Sequence, residues 1–277
     1  MLSVLYGLAS SLSWGAADFI GGLASKTTSP YRVLYLAEIA GLIPFLALAL
    51  LTGEALPSAA DLLWGACASI IGLMGLLLLY RALAEGQMTI AAPVSALLAA
   101  LIPVIFGLFT LEIPPWTTLI GFGFALLAVW LVSQNDSTTW RFAFSDLRLP
   151  LLSGFFFGLY FLTLHKATLN AFFWPLVSAR FAGFVAIGLF ALITRRPAMP
   201  PREVWGYSLF NGVIDIAGNG FYILAAQTGR LDVAAVLSSL YPAATALLAW
   251  IFLKERLTFL QTIGVCFAFT AIILFIL

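Results

Sequence analysis

Asp18, Glu38, Arg180 and Asp215 each stand inside a long apolar run of the chain. Ionisable groups in such runs are costly to bury, face a bundle interior or a water-filled cavity, and mark ion or substrate paths. Glu38 lies in Leu36-Ala-Glu-Ile-Ala-Gly41 and Arg180 in Ser178-Ala-Arg-Phe-Ala-Gly183, 142 residues further on. Opposite charges at matching positions are expected to meet. The pair would be either a buried bridge that fixes register between two halves or a gate or clamp for the two ends of a zwitterion. The planar fork of Arg suits a carboxylate, which makes an amino acid a natural solute for Arg180 with a carboxylate partner.

Asp215 stands in the middle of its run with Asn211 and Asn219 one turn away on each side, a spacing that sets all three on one helix face. Its expected roles are proton carriage, cation coordination, or a structural hydrogen bond from the two amides, which otherwise serve as glue between helices. Ser11, Trp14, Gly15, Asp18 and Gly22 share one helical stripe. Trp14 reads either as an aromatic wall for an aromatic solute or cationic amine or as a packing residue. Asp18 lies near the end of its run, within snorkelling reach of water. His165, the only histidine, sits beside Lys166 and reads as an interfacial residue. Three carboxylates against one guanidinium leave a formal −2, a balance that favours protons or cations. One of the three carboxylates is expected to load and release a proton.

These residues must be positioned by apolar helices. Runs of roughly 20 residues, the length that crosses a hydrocarbon core, fall at about 2–22, 32–52, 62–80, 88–110, 116–134, 149–166, 173–194, 204–226, 231–252 and 259–277. Their breaks carry turn chemistry at Thr28-Ser-Pro30, Thr52-Gly53, Pro114-Pro115, Asn135-Asp-Ser137 and Arg195-Arg-Pro197. The second half repeats the first. Gly41 and Gly183, Thr52 and Thr194, and Tyr80 and Tyr222 share the 142-residue offset; Gly86 and Gly229, Glu112 and Glu255, and Gly121 and Gly264 need 143, so one inserted residue reconciles the series. Five crossings per copy, an odd number, force the copies into opposite orientations, the inverted-repeat layout of secondary transporters. The predicted fold class is all-α integral membrane, ten transmembrane helices as a 5+5 inverted repeat around a central cavity. Residues 1–277 form a single membrane domain, with 1–135 the first repeat and 148–277 the second. Gly154-x-x-x-Gly158 and Ala17-x-x-x-Gly21 read as packing devices, and Pro93, Pro103 and Pro242 are expected to kink their helices.

Composition agrees with this reading. Hydrophobic residues make up 62% and charged residues 9% of the chain, with a mean hydropathy of +1.07, against roughly 25% charged residues in a soluble domain. A net charge of +1 offers no basic stripe for nucleic acid. Cys67 and Cys266 each lie in an apolar run and suggest neither a disulfide framework nor a metal site; no cofactor is expected. No Gly-rich phosphate loop followed by Lys-Ser or Lys-Thr is present, against ATP-driven transport within this chain. The first apolar run contains Asp18 and lacks a basic lead-in and cleavage motif, so it reads as a retained helix. The competing class, a membrane enzyme on lipid or isoprenoid substrates or a non-transporting scaffold, would call for a paired acidic, His-rich or Ser–His cluster that scattered carboxylates and a single His165 do not supply.

Ser13-Trp-Gly15 in the first run, Ala91-Ala-Pro93 with Leu111-Glu112 at the fourth, and Leu253-Lys-Glu255 in the second copy resemble the drug/metabolite transporter superfamily, in its ten-helix EamA-type branch. The resemblance spans nearly the whole chain. It implies a basket of ten helices and export of metabolites such as amino acids, nucleobases or amines. Relatives run from YddG-type amino-acid exporters to nucleotide-sugar carriers and choline importers, so solute and direction stay open. The expected function is a secondary active transporter of a small polar or amphipathic metabolite, working by alternating access as a monomer or homodimer in the cell membrane, with proton-coupled antiport as the preferred mechanism.

Orientation divides the two lines of argument. The odd connections hold Lys26, Arg32, Arg81, Arg141, Arg148, Arg195, Arg196, Arg202, Lys254 and Arg256, and the even ones only Lys166 and Arg230. The positive-inside rule then predicts both termini outside, whereas the resemblance implies both inside.

Overall fold

The computed structural model describes residues 1–84, 88–132, 147–253 and 258–276. Gly86, most of the linker between the repeats with Asn135-Asp-Ser137 and Arg141, and Lys254-Glu255-Arg256 lie outside the described residues. Eleven α-helices are described: α1 (Leu2–Ser25), α2 (Pro30–Thr52), α3 (Ala59–Ala84), α4 (Met88–Thr110), α5 (Trp116–Val132), α6 (Arg148–Ala167), α7 (Phe173–Ile193), α8 (Trp205–Thr228), α9 (Leu231–Ser238), α10 (Tyr241–Leu253) and α11 (Phe259–Ile276). Six helical stretches are long and apolar enough to cross a bilayer, and three shorter apolar helices accompany them among the described residues. The chain is a multi-pass membrane protein.

The predicted turn residues set the helix ends. Pro30 opens α2, where its fixed φ suits a helix and its missing N–H would have had no partner. Gly53 closes α2 in the left-handed region at φ 67°, returning its N–H to the last turn. One expectation is corrected. The run 231–252 is not one helix bent at Pro242, because the chain breaks at Ser239-Leu240 and Pro242 becomes the second residue of α10. A proline there cannot donate to the carbonyl four residues back, so it starts a helix more readily than it continues one.

Packing interleaves the two copies. α1 lies along α8, and its counterpart α6 lies along α3; α2 packs on its own counterpart α7, and α5 on α11. Two bundles result, α1 with α8, α9 and α10, and α6 with α3 and α4. Each takes its first helix from one copy and the rest from the other. Small residues permit the close crossings. A Cβ on Gly212 would stand 2.1 Å from the Ala37 carbonyl oxygen, where α8 crosses α2, and one on Gly154 2.6 Å from the Ser95 carbonyl oxygen, where α6 crosses α4.

Hydrogen bonds identify the two ends of the bundle. At one end the α1–α2 turn meets the α7–α8 connection, with Tyr31 Oη donating to Pro197 O (3.2 Å) and Arg32 Nε to Met199 O (2.8 Å). At the other end the Glu54 carboxylate accepts the backbone N–H groups of Phe172, Phe173 and Trp174 at 2.6, 2.9 and 3.0 Å. A carboxylate on the first turn of α7 satisfies donors the helix leaves free and complements its dipole.

Candidate solute cavity

A cavity of about 410 Å³ runs from mid-bundle to the α1–α2 end, where Ser25, Pro30 and Leu79 line it. Its size lies within the range of small-molecule sites. Trp14, Asp18, Glu38, Arg180, Asn211, Asp215 and Asn219 all line it, so the structure gathers every site residue singled out in the sequence around one space.

Arg180 sits at its centre and is 8% exposed. Nη1 donates to Glu38 Oε2 at 3.3 Å, and Nη2 donates to Asp215 Oδ2. The meeting follows from the repeat. A Cβ on Gly183, three residues after Arg180, would stand 2.9 Å from the Glu38 carboxyl carbon, and one on Gly41, three residues after Glu38, 3.4 Å from Arg180 Cδ. Each copy thus leaves a glycine-sized space for the charged side chain of the other. Each arm of the guanidinium fork already holds a carboxylate, so the charge of Arg180 is matched within the cluster. The Glu38 side chain is 8% exposed and that of Asp215 33%, so Asp215 also faces the cavity. Asp18 is open to the cavity as well.

The two amides do not serve Asp215. Asn211 Nδ2 donates to the Ala17 carbonyl at 2.6 Å, and Asn219 Oδ1 accepts from Trp14 Nε1 (3.2 Å) and Tyr160 Oη (2.7 Å). α8 is flanked by α1 and α6, so each amide reaches a neighbouring helix, while the charged guanidinium claims the carboxylate. Trp14 is both wall and packing residue. Its ring lies 5.6 Å from that of Phe161 and 6.0 Å from that of Tyr222, and Gly218 leaves it room, since a Cβ there would fall 2.6 Å from Trp14 Cδ1. Sequence reasoning missed Tyr160, Tyr241 and Ser69, which also line the cavity. A tyrosine in an apolar run announces a polar tip but not where it points.

The opposite end is sealed. Phe45, Phe161, Leu164, Leu176, Tyr222 and Leu231 form a continuous apolar cluster there, with Phe172 and Phe173 against it. Three hydrogen bonds cross that end from α8 and its exit to the α4 and α6 side: Tyr222 Oη to Phe161 O (2.8 Å), Gln227 Nε2 to Thr168 O (2.7 Å) and Arg230 Nη1 to Glu112 O (2.6 Å). His165 lies in the last turn of α6 as expected, but its Nδ1 is buried without a hydrogen-bond partner among the described residues.

An internally repeated helical membrane protein with buried charges around a polar cavity has the build of a transporter. Residues 1–134 and 147–277 each match the EamA-like transporter family, and the chain belongs to that family. A solved crystal structure aligns over 98% of this chain and 95% of its own with a TM-score of 0.80 at 16% identity, a likeness that carries the fold. No curated protein sequence matches the chain.

Proposed function

We propose that this protein is a secondary active transporter of small organic cations, amines with an apolar or aromatic body, exchanged for protons by alternating access across ten crossings arranged as an inverted repeat. The observation that carries the solute class is the state of Arg180. With its fork divided between Glu38 and Asp215, the cavity's charged lining among the described residues is three carboxylates and one committed guanidinium, a formal −2. Trp14, Phe157, Tyr160 and Phe161 supply apolar and π faces for the body of an amine. Asp18 and Asp215, facing the same space, are the groups for which a proton and an ammonium compete, which is the logic of antiport. An amino-acid zwitterion would have to displace Glu38 or Asp215 from Arg180 before its own carboxylate could bind.

Thermal stability of the detergent-purified protein with a metabolite panel tests the reading. A cationic amine at a hundredfold excess over Kd is expected to add about 2.7 kcal/mol, and hits should then drive counterflow in liposomes. Stabilisation confined to anionic solutes overturns the solute class, and stabilisation by lipid alone favours the membrane-enzyme reading.

Direction follows from orientation. The ten-to-two excess of Lys and Arg in the odd connections favours a cytoplasmic α1–α2 end, so the cavity in its present state loads from the cytoplasm and the protein exports. A carboxy-terminal reporter that works only in the cytoplasm is expected to be silent; strong activity would reverse both the orientation and the direction of loading.

A further inference from the structure

A second cavity, of about 470 Å³, lies at the sealed end. Both bundles wall it: Phe106, Thr110 and Glu112 at the end of α4, His165 on α6, and Gly229 and Arg230 between α8 and α9. The apolar cluster that seals the central cavity is also the floor of this one, since Phe161 of that cluster lines the central space while Ala226 and Leu231 line the second. One apolar cluster thus contributes walls to both spaces.

The charges of the second cavity point to a cation. Arg230 is spent: Nε and Nη2 grip the two Asp232 oxygens at 3.1 and 2.8 Å, and Nη1 donates to the Glu112 carbonyl. Asp232 is fully buried and matches that charge. What remains is the Glu112 carboxylate, exposed at the rim, and the Nδ1 of His165, buried and without a partner among the described residues. Glu112 accepts only, and Nδ1 accepts in the tautomer protonated at Nε2. A bound ammonium would satisfy both.

We propose that this pocket is a second solute station, taking the same class of small organic cation as the central cavity through the Glu112 carboxylate and His165 Nδ1. The class rests on the cation reading of the central site, and the test separates the two. Calorimetric titration of the purified protein with 2-phenylethylamine is expected to give two equivalents. Glu112→Gln should weaken one of them roughly tenfold or more, the worth of a charged hydrogen bond, and leave the other unchanged; Asp18→Asn should weaken the other. His165→Phe, which also fills the pocket, should act like Glu112→Gln, and the exposed Glu112 keeps the test independent of whether the His165 variant folds. One equivalent, weakened in Asp18→Asn and untouched by Glu112→Gln, overturns the second station and leaves the central site standing. Two equivalents indifferent to Glu112→Gln also overturn it, and no binding in the parent overturns both readings.

Discussion

Arg180→Gln is expected to be the most destabilising substitution at the site, costing about 3–5 kcal/mol, because it strands buried charge. Arg180 holds Glu38 on one arm and Asp215 on the other, so its loss uncovers two carboxylates at once. Glu38→Gln should cost less, since the guanidinium keeps Asp215 as its partner. The double variant Glu38→Gln/Arg180→Gln should be less damaged than the sum of the singles, as removing a whole pair costs less than breaking it. Unfolding of the three variants, followed by the same optical probe in one detergent, measures the coupling. Strict additivity would mean that the pair contributes nothing as a pair.

Asp215→Asn is expected to abolish accumulation driven by a pH gradient while solute exchange persists. Asparagine keeps the volume and still accepts from Arg180, so the protein should fold, but it cannot exchange a proton for a solute cation. Asp215 is placed for coupling because it joins the buried ion cluster on one side and faces the cavity on the other. Asp18→Asn, open to the cavity nearer its mouth, should weaken binding more than coupling. Uptake into liposomes with and without an imposed gradient, against counterflow at equal pH, separates the two effects. Undiminished gradient-driven accumulation by Asp215→Asn would move the coupling role to Glu38 or Asp18.

Much of this arrangement was legible in the order of residues. Hydropathy marks the helices because a bilayer leaves backbone groups no other partner, and the matched Glu38 and Arg180 announced a meeting because a repeated fold brings equivalent positions together. Turn residues such as Pro30 and Gly53 fixed helix ends through local backbone constraints that need no tertiary context. The partner of a side chain on a helix face is a different matter, since it depends on which neighbour lies across the interface. Asn211 and Asn219, spaced to serve Asp215, instead bond to α1 and α6, and Asp215 turns to an arginine on α7. The interleaving of the copies, the break before Pro242, the Glu54 cap on α7 and the convergence of Arg230, Glu112 and His165 at the sealed end were likewise decided only by the packed structure. Helix periodicity says which residues share a face, but the direction of that face and the side chains it meets are set by the crossing of helices distant in sequence, which local propensity does not encode.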